Sequence, residues 1–520
     1  MRYLIALLLP MISGATAYYP PIVPAVARAA QADPAPQPPA PAKLWTPAEV
    51  YCAAAKDIAT LPKPLRCHVR YAYLNRYWDA ESLQWLFAYH VNSLSTEADL
   101  VVPAKVDKAP LVRLNACDYG PNWAKVWEQL ASVEPFYHLT VVEVTADTEY
   151  WPGGVWSRDG KHYPAGYYKT GKESRKKVTG FAPWVKGHRE CHEAALYLAS
   201  ETGSQVPLVD AAWFIWQTAI QADRTPGYYD FLEIKDQKDY ERLIGFDAKL
   251  AKSAKRVELL EAVAVSTVTL QSRRIGVFNA ISGRYYQTFD NRLADDGRNP
   301  LRVLDKTFKF DATEVIGHLP NDLIVWGLFD DKGARQDAAP DFIASDFTAP
   351  RTDRRVHINA SCIRCHGPDD GLRPVDGWAR GLYQGRYKLQ DPKYNLDQER
   401  LLRQQYLRDL DEPLQEGRRK YRRSVALVTG KTPAELATAF GKLFGGVDGP
   451  VTAERAAADL GVSKEEFLKK LEGYYVAYKS LDPSLAIFLT GRKEVYGAVQ
   501  WFEAFPLAML IMLDKAPVTR

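Results

Sequence analysis

The run Cys362-Ile363-Arg364-Cys365-His366 constrains this chain more than any other feature of its sequence. Two thiols at this spacing can each form a thioether bond to a vinyl group of the same haem, and the next histidine is then placed beneath the porphyrin. A neutral imidazole is a good iron ligand. The motif therefore predicts one covalently bound haem c, attached through Cys362 and Cys365, with His366 as the proximal iron ligand.

Two other uses of a Cys-x-x-Cys pair are less consistent with the sequence. A thioredoxin-like pair should follow a strand in a βαβ unit, and a structural zinc site needs a second pair of Cys or His at similar spacing. No second Cys-x-x-Cys occurs in the chain. A third interpretation stays open, in which the pair is a disulfide of a secreted binding protein without haem.

The N-terminus has the features of a secretory signal. A charged start at Met1-Arg2-Tyr3 is followed by the apolar run 4–9 and by the small-residue site Ala15-Thr16-Ala17. We predict cleavage after residue 17, with an alternative cut after Ala32, and a periplasmic or secreted protein in the cell envelope. The apolar run is too short for a stable membrane span. Haem c is attached outside the cytoplasmic membrane, so signal and motif agree.

Composition and periodicity indicate how the rest of the chain is organised. The predicted fold class is mainly α with a small antiparallel β region (α+β), and with a C-terminal helical c-type cytochrome-like domain. In order, we predict a signal peptide at 1–17, a Pro/Ala-rich linker at 18–44, a mostly helical domain at 45–265, an antiparallel β region at 266–350 and a helical haem domain at 351–520.

Local signals support these regions. Thr46-Pro47-Ala48-Glu49 has the pattern of a helix N-terminus with a capping box. The runs 274–279 and 284–289 flank Ala280-Ile281-Ser282-Gly283, which predicts a β-hairpin. Further helices are predicted at 81–94, 121–133, 188–202, 209–222, 236–244, 396–410, 418–428, 433–443, 453–460 and 464–474, and further strands at 138–144, 313–316 and 323–329.

Charge and cysteine content limit the class of protein. A net charge of +4 in 520 residues is too small to suggest nucleic-acid binding or an anionic membrane surface. Cys52, Cys67, Cys117 and Cys191 remain beside the haem pair, and an even number in an exported chain suggests two disulfides. Four cysteines allow three pairings. We favour Cys52–Cys67, the pair nearest in sequence, and therefore Cys117–Cys191.

The second axial ligand of the iron would decide what the haem does. A protein side chain in that position suits electron transfer, whereas an open position lets small molecules bind. We select Met509, in the apolar run 505–509, as the predicted distal metal ligand, although a role in the core is equally consistent with its sequence. The other candidates are Met512, His357, His318 and the N-terminal histidines His68, His188 and His192. Arg364 and Arg373 are placed to pair with haem propionates.

The segments 361–366 and 373–378 resemble those of large exported cytochrome-c-domain proteins of the planctomycete type. The segments 46–50 and 330–333 look similar to parts of the same group. The resemblance extends over most of residues 45–515. It implies covalent haem c and export, and it does not imply a substrate.

These observations lead to one functional expectation and one rival. We expect an exported monohaem c-type cytochrome that carries single electrons and therefore needs a redox partner protein. The rival is a haem enzyme or gas-binding sensor with an open distal site. No catalytic residue is assigned, and the sequence leaves oligomeric state, redox potential and partner identity open.

Overall fold

The computed structural model describes most of the chain from residue 45 onward. The long described stretches are 47–133, 189–247, 273–292, 308–339, 355–375, 410–478, 481–491 and 497–512, with Trp45 and short pieces at 148–177, 259–263 and 298–303. The predicted signal peptide and linker lie outside the described residues, as do the strand predicted at 138–144 and most of the helix predicted at 396–410.

The first part of the chain combines helices with a mixed sheet. Its helices are α1 (Pro47–Thr60), α2 (Lys63–Arg66), α3 (Ala80–Ser93), α4 (Trp123–Glu128), α5 (Arg189–Thr202), α6 (Ala211–Thr218), α7 (Tyr228–Phe231) and α8 (Gln237–Leu243). Its first strands are β1 (Val69–Tyr73), β2 (Ala104–Lys105) and β3 (Leu111–Asn115). The strands β4 (Thr148–Trp151), β5 (Val155–Trp156), β6 (His162–Tyr163), β7 (Tyr167–Thr170), β8 (Arg175–Lys177) and β9 (Leu208–Asp210) follow.

Four of these strands form one sheet in the order β2-β3-β1-β9, in which β1 is antiparallel to β3 and parallel to β9. The other five form small antiparallel pairings, β4-β7-β8 and β5-β6. Short polar side chains start the helices. Asp79 accepts a hydrogen bond from the Ser82 amide at 2.9 Å before α3, and Asp210 accepts one from the Trp213 amide at 2.9 Å before α6.

A five-stranded antiparallel sheet follows, in sequence order. Its strands are β10 (Leu259–Val263), β11 (Arg273–Ala280), β12 (Gly283–Phe289), β13 (Ala312–His318) and β14 (Ile324–Asp330). The predicted hairpin is confirmed, because β11 and β12 pair from Arg274–Phe289 to Ala280–Gly283 around a two-residue turn. Gly283 has a φ of +146°, a conformation that favours glycine.

The outer edge of β14 is covered by tyrosines and by the segment after the strand, where the Gln336 amide donates to the Leu328 carbonyl at 2.9 Å. The Tyr228 hydroxyl accepts a hydrogen bond from the Trp326 amide at 3.0 Å, and the Tyr229 hydroxyl accepts one from the Leu328 amide at 2.8 Å. Tyr240 donates to the Val325 carbonyl at 3.0 Å. Unpaired strand edges are costly when buried. The short helices α7 and α8 therefore join the first part of the chain to the sheet.

The last part of the described chain is helical. It contains α9 (Ala360–His366), α10 (Asp411–Thr429), α11 (Pro433–Asp448), α12 (Ala453–Asp459), α13 (Lys464–Tyr478), α14 (Pro483–Ala486) and α15 (Ala498–Met512). Helix α11 begins with a capping box, in which the Glu435 amide donates to Thr432 Oγ1 at 3.3 Å and the Thr432 amide donates to Glu435 Oε2 at 2.8 Å.

One apolar core contains side chains from all three predicted regions, from Tyr51 through Trp326 to Trp501. The described residues from Trp45 onward accordingly form one compact unit. The prediction of an α+β fold is confirmed in this mixture of helices and small sheets. No helix among the described residues is both long enough and apolar enough to cross a membrane.

Candidate functional site

The motif Cys-x-x-Cys-His forms most of the short helix α9. Asn359 precedes it with a φ of +62°, and the side-chain amide of Asn359 donates to the Ala219 carbonyl at 3.2 Å. The Ser361 hydroxyl accepts a hydrogen bond from the His357 amide at 3.1 Å. Residues three and four apart share a helix face. Cys362, Cys365 and His366 are therefore presented on one side of α9.

Helix α9 packs against α11, and a glycine allows the contact. Gly367 follows His366 directly, and a Cβ at that position would lie 2.4 Å from Ala437 Cβ and 3.0 Å from the Pro433 carbonyl oxygen. No side chain fits at that distance. The residue after the motif therefore fixes how closely α9 approaches α11.

The two thiols of the motif differ in burial. Cys362 is 3% exposed, and it is close enough to Tyr228 and Tyr229 to interact with them electrostatically. Burial, with the nearby carboxyl group of Glu314 adding to it, raises the pKa of the Cys362 thiol well above its usual value. Cys365 is half-buried, and burial also raises its pKa. Both cysteines carry free thiols in the structure.

The imidazole of His366 lies between the sheet and α9. Its ring centroid is 5.0 Å from that of Trp326 on β14, with the two planes tilted by 49°. Its Nε2 is 3.6 Å from Glu314 Oε1 on β13, an ion-pair separation that is longer than a hydrogen bond. Its Nδ1 is buried and has no hydrogen-bond partner among the described residues. Neither ring nitrogen makes a hydrogen bond to a described residue, so the imidazole is left for a ligand.

Glu314 belongs to a buried charge network. Arg273 Nη2 is 3.3 Å from Glu314 Oε2 and 2.7 Å from Asp290 Oδ2, and Thr288 Oγ1 donates to the same Asp290 oxygen at 2.7 Å. Burial alone would raise the pKa of Glu314. The contacts with His366 and Arg273 outweigh burial and lower that pKa to about 2. The carboxylate beside the histidine is therefore ionised.

No motif in the sequence marks Glu314, Arg273 or Trp326 as part of the site. These residues lie on three different strands, and their only sequence signal is the alternation of a β-strand. Pairing in the sheet places Ile316 opposite Trp326 and Glu314 opposite Leu328, so that Glu314 and Trp326 share the face that meets His366. Their role beside the motif follows from the sheet register.

The other proposed ligands are distributed over the fold. Met509 lies on α15, and its side chain is outside the described residues, as are His188 and the side chain of His192. Met512 is half-buried against the core. His318 is buried on β13, where its Nε2 is 3.2 Å from the Gly417 carbonyl oxygen of α10. That contact gives His318 a partner in the protein.

Two further candidates make contacts of their own. His357 is buried, and it forms an isolated β-bridge with Ala338. His68 Nδ1 is 2.9 Å from Cys117 Sγ in the first sheet. None of these contacts tests which side chain is the distal ligand. Met509 therefore stays the predicted ligand.

The two arginines near the motif differ in their surroundings. Arg373 pairs with Asp369 at 3.3 Å, where both side chains are substantially exposed to solvent. Arg364 lies along α11 near Gly441, and burial lowers the pKa of its guanidinium. Their pairing with haem propionates stays a prediction. Among the described residues there is no group of three or more His, Cys, Asp and Glu side chains arranged to hold a metal ion.

The residues of α9 fit haem c by their chemistry. They provide two free thiols and an imidazole with one unsatisfied buried nitrogen, and the carboxylate of Glu314 lies 3.6 Å from the other nitrogen. A carboxylate on the second nitrogen of a metal-binding histidine is a common arrangement, because it fixes the tautomer and the ring orientation. No protein-family model matches this chain, and neither a curated protein nor a solved structure does.

Proposed function

We propose that this protein is an exported monohaem c-type cytochrome that carries single electrons to or from a redox partner protein. The observation that carries the proposal is the convergence of Cys362, Cys365 and His366 on one face of α9, with a buried imidazole nitrogen left unsatisfied. The predicted signal peptide and the likeness of residues 361–378 to planctomycete-type cytochrome-c-domain proteins support the same proposal.

The protein groups have distinct roles in this proposal. Cys362 and Cys365 would hold the haem through thioether bonds, and His366 would be the proximal iron ligand. Bound in this way, haem c supplies a one-electron iron couple. Trp326 packs against the imidazole, and Glu314 restrains its orientation. Glu314 is itself held by Arg273, so a rigid sheet supports the histidine.

The environment of α9 is suited to keeping water away from the site. Cys362 is 3% exposed, and Ile363 and Ile358 beside it are completely buried. Low solvent access and a fixed surrounding charge are two of the means by which proteins set the potential of a redox centre. In this proposal the sheet and α11 therefore keep the solvent access and the charge around the motif constant.

The test is expression of the full chain in a periplasm that has c-type haem maturation, followed by a haem stain on a denaturing gel and by absorption spectra. We expect covalent haem in the wild type and in Cys52→Ala, a matched control outside the motif. We expect none in Cys362→Ala/Cys365→Ala. Absence of covalent haem in the wild type would overturn the proposal.

Carbon monoxide separates the carrier from the rival enzyme or sensor. A low-spin reduced spectrum that carbon monoxide leaves unchanged supports a carrier with both axial positions filled. If Met509 is the distal ligand, Met509→Ala converts that spectrum to one that responds to carbon monoxide, while Met512→Ala does not. A wild type that already binds carbon monoxide would favour the rival.

A further inference from the structure

Cys67 and Cys117 lie at the same end of the first sheet, just beyond strands β1 and β3. These strands are antiparallel, and Val69 pairs with Asn115 at the last position of the ladder. One more hydrogen bond follows, from the Ala116 amide to the His68 carbonyl at 2.7 Å. Cys67 and Cys117 are the next residues of the two segments.

The end of the β1–β3 ladder brings Cys67 and Cys117 close to each other. The Ala116–His68 bond and the bond from the Leu74 amide to the Pro110 carbonyl, at 2.8 Å, mark the hydrogen-bonded pairs of this ladder. The ladder ends at His68 and Ala116, because Cys67 has helical φ and ψ of −63° and −18° and Cys117 lies in a 3-10 helix. The two cysteines are close enough to interact electrostatically. A disulfide requires Cα atoms roughly 4.4–6.8 Å apart.

Both segments leave the sheet at this point, and both cysteines are exposed. Cys67 ends α2, and Cys117 lies in the 3-10 helix Ala116–Tyr119. Both are free thiols in the structure. A solvent-exposed pair on facing chains is accessible to an external oxidant.

The neighbouring side chains favour thiol chemistry. His68 Nδ1 is 2.9 Å from Cys117 Sγ, so the imidazole can accept the thiol proton. Arg70 Nη1 donates to the Cys67 carbonyl at 3.2 Å, and its guanidinium interacts electrostatically with both cysteines. Burial, with Cys67 and Asp118 adding to it, raises the pKa of the Cys117 thiol, and the positive charge of Arg70 opposes this. The reactive thiolate therefore forms by transfer of its proton to a base, and His68 is the neighbouring acceptor.

We propose that Cys67 and Cys117 form a disulfide that ties the end of α2 to the 3-10 helix after β3. The oxidant is the disulfide of a second molecule, such as a small thiol or an oxidoreductase. The Cys117 thiolate attacks one donor sulfur, forms a mixed disulfide and expels the other donor sulfur as a thiolate. The Cys67 thiolate then attacks Cys117 Sγ and expels the remaining donor sulfur. The donor takes up two electrons and, with the two released protons, becomes two thiols.

This pairing differs from the one suggested by sequence proximity. It joins Cys67 to Cys117 across a sheet instead of to Cys52, and it leaves Cys52 and Cys191 as the remaining pair. These two residues lie on α1 and α5, two helices that pack against each other. Both helices are long elements with fixed positions in the described fold. The topology is therefore compatible with a second bond between them.

Peptide mapping of the full-length protein tests the proposal. The purified protein is incubated with oxidised glutathione, alkylated without reduction and digested with trypsin. Each cysteine then falls in a different peptide: Cys67 in 67–70, Cys117 in 114–125, Cys52 in 44–56 and Cys191 in 190–224. We expect peptide 67–70 linked to 114–125, at the summed mass less two hydrogens, and complete loss of this species after reduction.

Single variants provide the controls. Cys117→Ser should eliminate the linked species and leave Cys67 either alkylated or in a mixed disulfide with glutathione, while Cys52→Ser should retain the linked species. A bond between 44–56 and 67–70 in the wild type would overturn the proposal, as would alkylation of both Cys67 and Cys117 after oxidation. Because the readout is the mass of these peptides, the result is independent of whether Cys362 and Cys365 carry haem.

Discussion

Replacing Asp210 with Asn should stabilise the protein at neutral and alkaline pH. Asp210 is 1% exposed at the N-terminus of α6, and a second buried carboxyl group, that of Asp459, interacts with it. Asp459 accepts hydrogen bonds from Asn75 Nδ2 at 2.8 Å and from Trp501 Nε1 at 2.9 Å. Two carboxyl groups in one buried site cannot both ionise without a cost.

The size of the effect follows from the pKa of Asp210. Burial, and then repulsion by Asp459, raise this pKa from 3.8 to about 7. A carboxyl group whose pKa is raised by folding contributes most to stability when it is protonated. The free energy of unfolding therefore falls as the pH rises from the unfolded value of 3.8 through about 7. At about 1.4 kcal/mol per pKa unit, the full loss is on the order of 4 kcal/mol.

Asn avoids this loss because its amide does not ionise, while its oxygen can still accept the hydrogen bond from the Trp213 amide. Urea unfolding followed by circular dichroism at about pH 5 and about pH 8 measures the difference. We expect Asp210→Asn to approach the wild type at the lower pH and to exceed it by up to several kcal/mol at the higher one.

A matched variant in the same cluster should gain less stability. Burial raises the pKa of Asp459 as well, to about 6, but Asp459→Asn leaves one acceptor oxygen for the two buried donors of Asn75 and Trp501, which costs about 1–3 kcal/mol. If Asp210→Asn were less stable than the wild type at about pH 8, or had the same pH dependence, the electrostatic argument would be wrong.

Two further predictions concern packing and capping. Gly367→Ala places a Cβ 2.4 Å from Ala437 Cβ and should lower the free energy of unfolding by about 1–3 kcal/mol. A Cβ added at Gly473 on α13 meets no atom within 4 Å, so Gly473→Ala should raise the free energy of unfolding by up to about 1 kcal/mol. Equal effects of these two variants in urea unfolding would contradict the packing argument. Thr432→Ala removes the side-chain cap of α11 and should lower the free energy of unfolding by about 1 kcal/mol, while Thr432→Ser should retain most of the stability. Thermal unfolding of both variants measures the difference. An unchanged midpoint in Thr432→Ala would show that the cap is dispensable.

Features specified by neighbouring residues were predictable from the sequence. The turn at Ile281-Ser282 brings strands β11 and β12 into the expected hairpin, and the pattern Thr432-Pro433 with Glu435 starts α11. The helix predicted at 81–94 is observed as Ala80–Ser93. In each case the interacting groups are a few residues apart, so turn and capping preferences are sufficient to specify the structure.

The surroundings of the motif were decided by tertiary structure. The spacing of Cys362, Cys365 and His366 is a property of the sequence, but Glu314 and Trp326 reach His366 only through the pairing of β13 with β14. Residue types on a strand show which side chains share a face, and they do not show which helix packs on that face.

The buried pairs follow the same principle. Asp210 and Asp459 are far apart in the chain and share one desolvated site because the end of β9 and the end of α12 come together in the core. Cys67 lies nearer to Cys52 in sequence, while the pairing of β1 with β3 brings it to the same end of the sheet as Cys117. The sequence by itself therefore determined the haem-type motif and the local elements. Long-range packing decided which charges, rings and thiols meet, because those contacts depend on burial and strand register rather than on distance along the chain.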